Sequence, residues 1–263
     1  MERAVTQIRT VPETGSTNDD VAALAPDGAP EGFWLRAERQ TGGRGRQGRD
    51  WHSPEGNLYA STLVRVRKDD PSAPTLALVA AVALHETVAQ LIRHPRESGD
   101  PACSSVSQEK RDSRFRGNDD GLSGLCIKWP NDLLVDGAKL SGILLERAGD
   151  AVVIGFGVNL AHYPQDLGRP ATSLAALAGA APDPAIFLEM LAESLARWLH
   201  RWRTEGVAPI RAQWLAAAHP IGTALTTPEG EGLFDGLDET GALRLRLADG
   251  SMRVIHAGDV FLI

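Results

Sequence analysis

The chain has 263 residues, of which 43% are hydrophobic and 23% are charged, as in ordinary globular proteins rather than disordered or fibrous ones. Its 27 Lys and Arg against 34 Asp and Glu give a formal charge of -7, which disfavours generic binding to polyanions, so any phosphate site must be local. Two cysteines, Cys103 and Cys126, exclude a disulfide framework. No signal peptide and no run of about 20 apolar residues is seen, so we expect a cytoplasmic protein.

The first part of the chain predicts alternating helices and strands. Ser16 and Thr17 are placed to cap a short helix that runs from Asn18 to Ala25. Residues 32–38 predict a buried strand, and residues 58–66 alternate apolar and polar side chains as a half-buried strand does. The Ala- and Leu-rich run 74–93 predicts a long helix opened by proline.

Residues 94–120 differ in composition from the rest of the chain. Their only large apolar side chains are Val106 and Phe115, whereas 11 of the 27 residues are charged. Such a segment buries too little surface to offset the entropy lost on ordering. We therefore expect a disordered insertion here, with no catalytic role.

The second half predicts an antiparallel sheet, two helices and a small separate domain. Strands between residues 125 and 160 are joined across Asp136-Gly137 and Gly149-Asp150, both typical hairpin turns. Asp183 and Pro184 would open a long helix, and a second helix is expected over 207–218. From Pro220 onward, five short β-type runs predict a small barrel. The expected domains are therefore 1–219 and 220–263.

The densest chemical signal is GGRGRQGRDW, residues 42–51. Its four glycines allow the backbone to approach a ligand closely, and Arg44, Arg46 and Arg49 supply three permanent cations. This combination suits a phosphate or a carboxylate, although a solvated basic loop or a nonspecific RNA contact would have the same composition. Trp51 could stack on a purine or simply pack in the core.

Two further motifs lie at the ends of predicted strands. KWPND, residues 128–132, places Lys128 on an apolar strand, where a buried cation needs a partner. A surface-facing Lys followed by an Asx turn would have the same sequence. GFGVNL, residues 155–160, has two glycines within a strand, which mark a bulge or the close approach of a ligand. No His or Cys residues have the spacing of a structural metal site, and the G-x-S-x-G element of many hydrolases is missing.

These motifs, together with GSTN at 15–18 and KLSGILLE at 139–146, resemble in order the signatures of the biotin protein ligases. The resemblance implies an α+β fold like that of the class II synthetases. A mixed, largely antiparallel sheet would carry packed helices, followed by a C-terminal SH3-type β-barrel that serves acceptor docking or closure. Because GSTN begins 14 residues after Met1, the DNA-binding domain of the bifunctional members is not expected.

The resemblance also implies a role for each motif residue. Arg46 and Lys139 would be catalytic, and Asp132 would orient the magnesium ion of Mg-ATP. The residues implied for biotin are Ser16, Thr17, Asn18, Gln40, Gly43, Arg44, Gly45, Arg46, Lys139 and Gly142. Those implied for ATP are Arg46, Arg49, Trp51, Lys128, Asn131, Asp132, Lys139 and Asn159.

The implied activity uses biotin and ATP to form biotinyl-5'-AMP and then transfers biotin to a lysine of a biotin carboxyl carrier protein. No DNA or membrane partner is expected, and a homodimer is left open. A lipoate ligase or octanoyltransferase of the same fold is the nearest alternative. From a different class, a non-enzymatic nucleic-acid-binding module would use the arginine loop, but the charge of -7 weighs against it.

Overall fold

A computed structural model describes residues 7–93, 124–165, 168–256 and 258–262. The predicted insertion 94–120, including Cys103, lies outside the described residues, so its expected disorder stays a prediction. The described residues form two β-sheets and five α-helices.

The larger sheet has seven strands and is antiparallel except for one parallel pair at its edge, β1 with β2. This confirms the predicted mixed, largely antiparallel architecture. In spatial order the strands are β1 Gln7–Thr14, β2 Phe33–Gln40, β3 Leu58–Arg65, β7 Ala151–Val158, β6 Ala138–Ala148, β5 Asp132–Val135 and β4 Leu125–Lys128.

Helices cover both faces of this sheet. They are α1 Thr17–Leu24, α2 Leu76–Arg93, α3 Leu174–Ala178, α4 Pro184–Glu205 and α5 Val207–Ala216. α1 packs on one face, in an apolar cluster with Phe33, Leu35 and Leu63, while α2 and α4 pack on the other. Strand β3 is consequently buried on both faces, so the expectation that it is half-buried is wrong.

The long apolar helix belongs to the protein core. Ala73–Ile92 is long and apolar enough to cross a membrane by length and composition, but 67% of its most apolar window is buried inside the protein. Leu76, Val79, Ala83 and Leu84 have no exposed surface. Contact with the sheet and with α4 accounts for the apolar character of this helix.

Local turn and cap signals were partly correct. Asp136 and Gly137 both have positive φ, at 50° and 78°, as predicted for the β5–β6 hairpin. At the β6–β7 hairpin, only Gly149 has a positive φ. The Asp183 carboxylate accepts hydrogen bonds from the first-turn amides of α4 and confirms that cap. Ser16 occupies the N-cap position of α1 but makes no side-chain capping bond, so this part of the prediction is wrong.

The C-terminal sheet has all five predicted strands. They are β8 Ala224–Thr227, β9 Gly230–Leu237, β10 Leu243–Arg246, β11 Met252–Ile255 and β12 Phe261–Leu262. Their order is β11-β10-β9-β8-β12, and no pairing between β11 and β12 is found among the described residues. The predicted small barrel is therefore found as an antiparallel sheet that does not close among the described residues. β12 has only two residues, too few to form a long closing ladder.

Candidate functional site

One pocket brings together the motifs that are separate in the sequence. It opens beside the Gly-rich loop, and the KWPND segment, the glycines of β6 and β7 and the start of α1 complete it. All the residues expected in the site line this pocket except Gly43 and Asn159. The predicted residues that line it are Ser16, Thr17, Asn18, Gln40, Arg44, Gly45, Arg46, Arg49, Trp51, Lys128, Asn131, Asp132, Lys139 and Gly142.

The end of the pocket beside α1 is lined mostly by neutral polar side chains. The Gln40 side-chain oxygen accepts from the Thr17 amide at 2.9 Å, and the Thr17 hydroxyl lies 2.7 Å from the Ser61 hydroxyl. Ser61 in turn donates to Asn18 Oδ1 at 2.6 Å. These connected bonds fix the orientation of buried donors and acceptors, as recognition of a neutral polar group requires.

Acidic side chains hold Asn18 and Arg44 at this end. Asn18 Nδ2 donates to Glu146 at 2.7 Å, and Arg44 donates to Asp19 at 2.6 Å and to Glu146 at 3.3 Å. The hydrogen bond from Arg44 keeps the pKa of the Asp19 carboxyl below its ordinary value, although partial burial opposes this. Arg44 is therefore anchored across the mouth of the pocket instead of extending into solvent.

A buried group of charges lies at the opposite end. Asp132 accepts from Lys139 Nζ at 2.7 Å and lies 3.5 Å from Lys128 Nζ, which supplies the partner that Lys128 needs. Burial favours the neutral Asp132 carboxyl, but the two lysines outweigh it and hold its pKa below the ordinary value. Burial lowers the pKa of Lys139, although Asp132 opposes this effect. The Asp132 carboxylate and the lysine ammonium groups therefore stabilise each other's charged forms.

Trp51 covers the glycine floor of the pocket. Its ring lies against Gly157 and Gly142, and Lys139 Nζ is 5.4 Å from the ring centroid. The indole Nε1 atom is buried and has no hydrogen-bond partner among the described residues. An unused buried donor is uncommon and leaves a position for an acceptor atom of a ligand.

The two remaining arginines of the loop point toward the C-terminal sheet. Arg49 forms an ion pair with Asp259, and Arg46 Nη1 is 3.9 Å from the same carboxylate and 3.4 Å from Asn131 Oδ1. Phe261 places its ring centroid 5.7 Å from Lys128 Nζ. The C-terminal sheet therefore contributes part of the pocket wall.

Two predicted residues lie outside the pocket lining. A Cβ atom built on Gly43 would stand 2.6 Å from the Ser53 hydroxyl and from the Trp51 carbonyl, so this glycine permits close packing of the loop. The side-chain amide of Asn159 donates hydrogen bonds to the backbone carbonyls of Lys139 and Thr172, at 3.4 and 3.0 Å. Asn159 therefore supports the backbone that carries Lys139.

Several pocket residues were missed by the sequence reasoning. Arg169 lines the pocket near Asp132 and Lys139 but belongs to no recognisable motif. Asp259 and Phe261 lie more than 100 residues from the motifs that they contact, so no local pattern indicates them. Glu146 lies outside the pocket lining but holds Asn18 and Arg44. It belongs to the quoted KLSGILLE segment, and its charge at the end of an apolar run was an available signal.

The described residues do not fit a metal ion held by the protein. Asp132 is already paired with two lysines, and no group of three or more His, Cys, Asp or Glu side chains in the described part of the chain could hold a metal. Magnesium usually keeps several waters and binds through substrate phosphates. We therefore treat magnesium as part of a Mg-ATP substrate.

Comparison with known proteins gives a consistent result. The model of the biotin/lipoate A/B protein ligase family matches residues 27–159, and that of the biotin protein ligase C-terminal domain matches residues 223–263. The biotin–[acetyl-CoA-carboxylase] ligase of Paracoccus denitrificans is 38% identical and aligns with 94% of this chain and 97% of its own length. The enzyme of that name from Mycobacterium tuberculosis is 35% identical and aligns with 97% of this chain and 88% of its own length.

A solved structure shows the same fold. The biotin protein ligase of Aquifex aeolicus, in complex with biotin and ATP, superposes with a TM-score of 0.79 at 22% identity, covering 98% of this chain and 100% of that one.

Proposed function

Because the chain belongs to the biotin/lipoate A/B protein ligase family, we propose that it activates biotin with ATP and transfers it to a lysine of a biotin carboxyl carrier protein. The observation that carries this proposal is the polarity of the pocket described above. Its α1 end presents connected neutral donors and acceptors, and its opposite end presents Lys128, Lys139, Arg46 and Arg49. Biotin has the same polarity, since a neutral ureido head is joined through an apolar tail to a carboxylate.

In the first step, a biotin carboxylate oxygen attacks the α-phosphorus of ATP. The new bond gives biotinyl-5'-AMP, and the bond to the bridging oxygen breaks and releases pyrophosphate. Two anions meet in this reaction, so cations that are already in place stabilise the charge that grows on the phosphoryl oxygens. Lys139 and Arg46 are the cations we assign to this role, and Arg49, Lys128 and Arg169 add positive charge around it.

In the second step, a neutral lysine amine of the acceptor attacks the acyl carbon of the mixed anhydride. The amide forms as the bond to AMP breaks, and the amine loses a proton. The anhydride must be kept from water until then. Residues 43–51, which already close over the pocket through Trp51 and the Gly45–Arg49 backbone bond, are placed to exclude it.

The remaining assignments follow the same geometry. We assign Ser16, Thr17, Asn18, Gln40, Arg44 and Gly142 to the biotin side, and Trp51, Asn131 and Asp132 to the nucleotide side. In this scheme Asp132 is the counter-ion of the two lysines. The cytoplasmic location and the homodimer stay predictions.

The family also contains lipoate ligases, so the substrate must be tested directly. We propose incubating the protein with Mg-ATP, a biotin carboxyl carrier domain and either biotin, lipoate or octanoate, and following the acceptor by mass spectrometry. One added biotinyl group, with release of AMP and pyrophosphate, is the expected result. Transfer of only lipoyl or octanoyl groups would favour the alternative. Binding of RNA with steep salt dependence and no transfer would favour the nucleic-acid module.

A further inference from the structure

A short segment that leads into β12 reaches the cationic end of the pocket. Asp259 and Phe261 are two positions apart, and both line the pocket. Val260 between them is buried, with 2% of its surface exposed, and fixes the segment against the core. Both Asp259 and Phe261 contact cations that the proposed function assigns to the nucleotide.

The partners of Asp259 are specific. Among the described residues its carboxylate contacts Arg49 directly and Arg46 at 3.9 Å, and no other ion pair or hydrogen bond of this side chain is found there. The Asp259 side chain is 22% exposed and that of Arg46 is 25% exposed, so the charges are only partly screened by solvent. The two arginines thus meet a carboxylate of the same chain where they would meet phosphate oxygens.

A guanidinium binds carboxylates and phosphates with the same fork of N–H donors. Donors turned toward Asp259 cannot make their best bonds to a phosphate at the same time. The Asp259 charge would also repel a triphosphate that comes close to it. Nucleotide binding must therefore break or stretch these contacts.

We propose that Asp259 is an internal competitor of ATP, which lowers nucleotide affinity by occupying Arg49 and Arg46 in the free protein. This inference rests on the proposed function, because it assumes that the arginines face the phosphates of ATP. In this proposal, Asp259 changes the affinity for the nucleotide and leaves the affinity for biotin unchanged. The biotin end, around Thr17 and Asn18, has no contact with Asp259 among the described residues.

The test compares Asp259→Asn with a matched control in the C-terminal sheet. Asp235 pairs with Arg244 at 2.8 Å, lies outside the pocket lining, and has a side-chain exposure of 24% against 22% for Asp259. Asp235→Asn therefore removes a similar charge from a similar ion pair without changing the pocket. Calorimetric titration with Mg-ATP, inorganic pyrophosphate and biotin gives the affinities, and assays of adenylate formation give KM and kcat.

We expect Asp259→Asn to bind Mg-ATP and pyrophosphate about 3- to 5-fold more tightly, the effect of one partly exposed ion pair. Its KM for ATP should fall by a similar factor with kcat and biotin affinity unchanged, and the gain should shrink at high salt. Asp235→Asn and Asp259→Glu should retain the parent affinity.

If a folded Asp259→Asn variant binds ATP no more tightly than the parent, or more weakly, the competitor role is wrong. If Asp259→Asn does not fold, Asp259→Ser serves as the second charge-removing variant. Tighter ATP binding by a folded Asp259→Ser supports the role, and unchanged or weaker binding contradicts it. A parent protein that does not bind ATP at all would overturn the proposed function as well. Parent binding without the expected gain overturns only this inference.

Discussion

The indole ring of Trp51 lies directly on the backbone of Gly157, where a Cβ atom would stand 2.6 Å from the ring atom Cε2. Trp51 follows the Gly-rich loop, and Gly157 belongs to the central strand β7. The loop and the sheet therefore meet without an intervening side chain. This contact explains why a glycine is needed within a strand, where it otherwise costs stability.

Gly157→Ala should displace the Trp51 ring and, with it, the loop. Overpacking of this kind costs about 1–3 kcal/mol. We expect the affinities for biotin and ATP to fall by about tenfold or more, because Trp51 lines the pocket to which both substrates are assigned. Tryptophan fluorescence and calorimetry would detect the two effects. Gly15→Ala is the control, since a Cβ there has no neighbour within 4 Å and φ is not positive. Unchanged affinity in Gly157→Ala would show that the loop does not depend on this contact.

Lys139→Ala removes a cation placed beside the reacting phosphate in the proposed mechanism. Loss of one such contact typically lowers the rate by about 10²- to 10³-fold. We expect this decrease in biotinyl-5'-AMP formation, measured in single turnover at saturating substrates. Lys68→Ala, at an exposed position, controls for the loss of a lysine. A near-normal rate would remove Lys139 from the catalytic residues.

Asp132→Asn leaves Lys139 and Lys128 without their buried counter-ion. Removing one partner of a buried pair costs about 3–5 kcal/mol, so the free energy of unfolding at pH 7 should fall by about 3 kcal/mol. The pKa of Asp132 is lowered in the folded protein, so its contribution is complete above the ordinary value of 3.8 and is lost as the pH falls through the folded value.

The free energy of unfolding of the parent should therefore approach that of Asp132→Asn only at acidic pH. Urea unfolding between pH 3 and pH 7 would measure it. Asp27→Asn, at an exposed aspartate, should show no comparable change. A difference that stays constant across this range would mean that Asp132 is not the charged partner of the lysines.

Local signals predicted the features that depend on a few neighbouring residues. The Asp136-Gly137 turn and the Asp183 cap are fixed by backbone geometry and one side chain, and both were found where expected. The motif residues could be expected to share one pocket, because the resemblance to a known family already implied that they lie close together. Ser16 failed as a cap because the position alone does not determine where a hydroxyl points.

Features that depend on distant contacts were not accessible in this way. The double burial of β3 depends on helices that pack on both faces of the sheet, whereas the strand pattern reports only its own side chains. Asp259 and Phe261 reach the pocket through the path of the C-terminal sheet. A single acidic residue before a short apolar run carries no signal of that contact.

The C-terminal sheet shares its apolar core with the main domain. The ring centroids of Phe234 and of Trp214 in α5 are 6.4 Å apart, and the Trp129 indole donates to the Gly241 carbonyl at 3.1 Å. Leu237, Leu243 and Val260 belong to the same buried cluster as α2 and α4. Removal of this sheet would therefore expose apolar surface of the main domain as well as open the pocket.

A chain that ends at Ala218 should consequently be unfolded or strongly destabilised, losing biotin binding and adenylate formation together. Trp214 would lose Phe234, and deletion of contacts around buried aromatic side chains costs about 3–5 kcal/mol, a large fraction of the stability of a typical domain. Circular dichroism during thermal unfolding and calorimetric titration with biotin would test this, with the full chain as reference. A truncated protein that melts cooperatively, forms biotinyl-5'-AMP and fails only in transfer would instead show that the sheet serves acceptor docking alone.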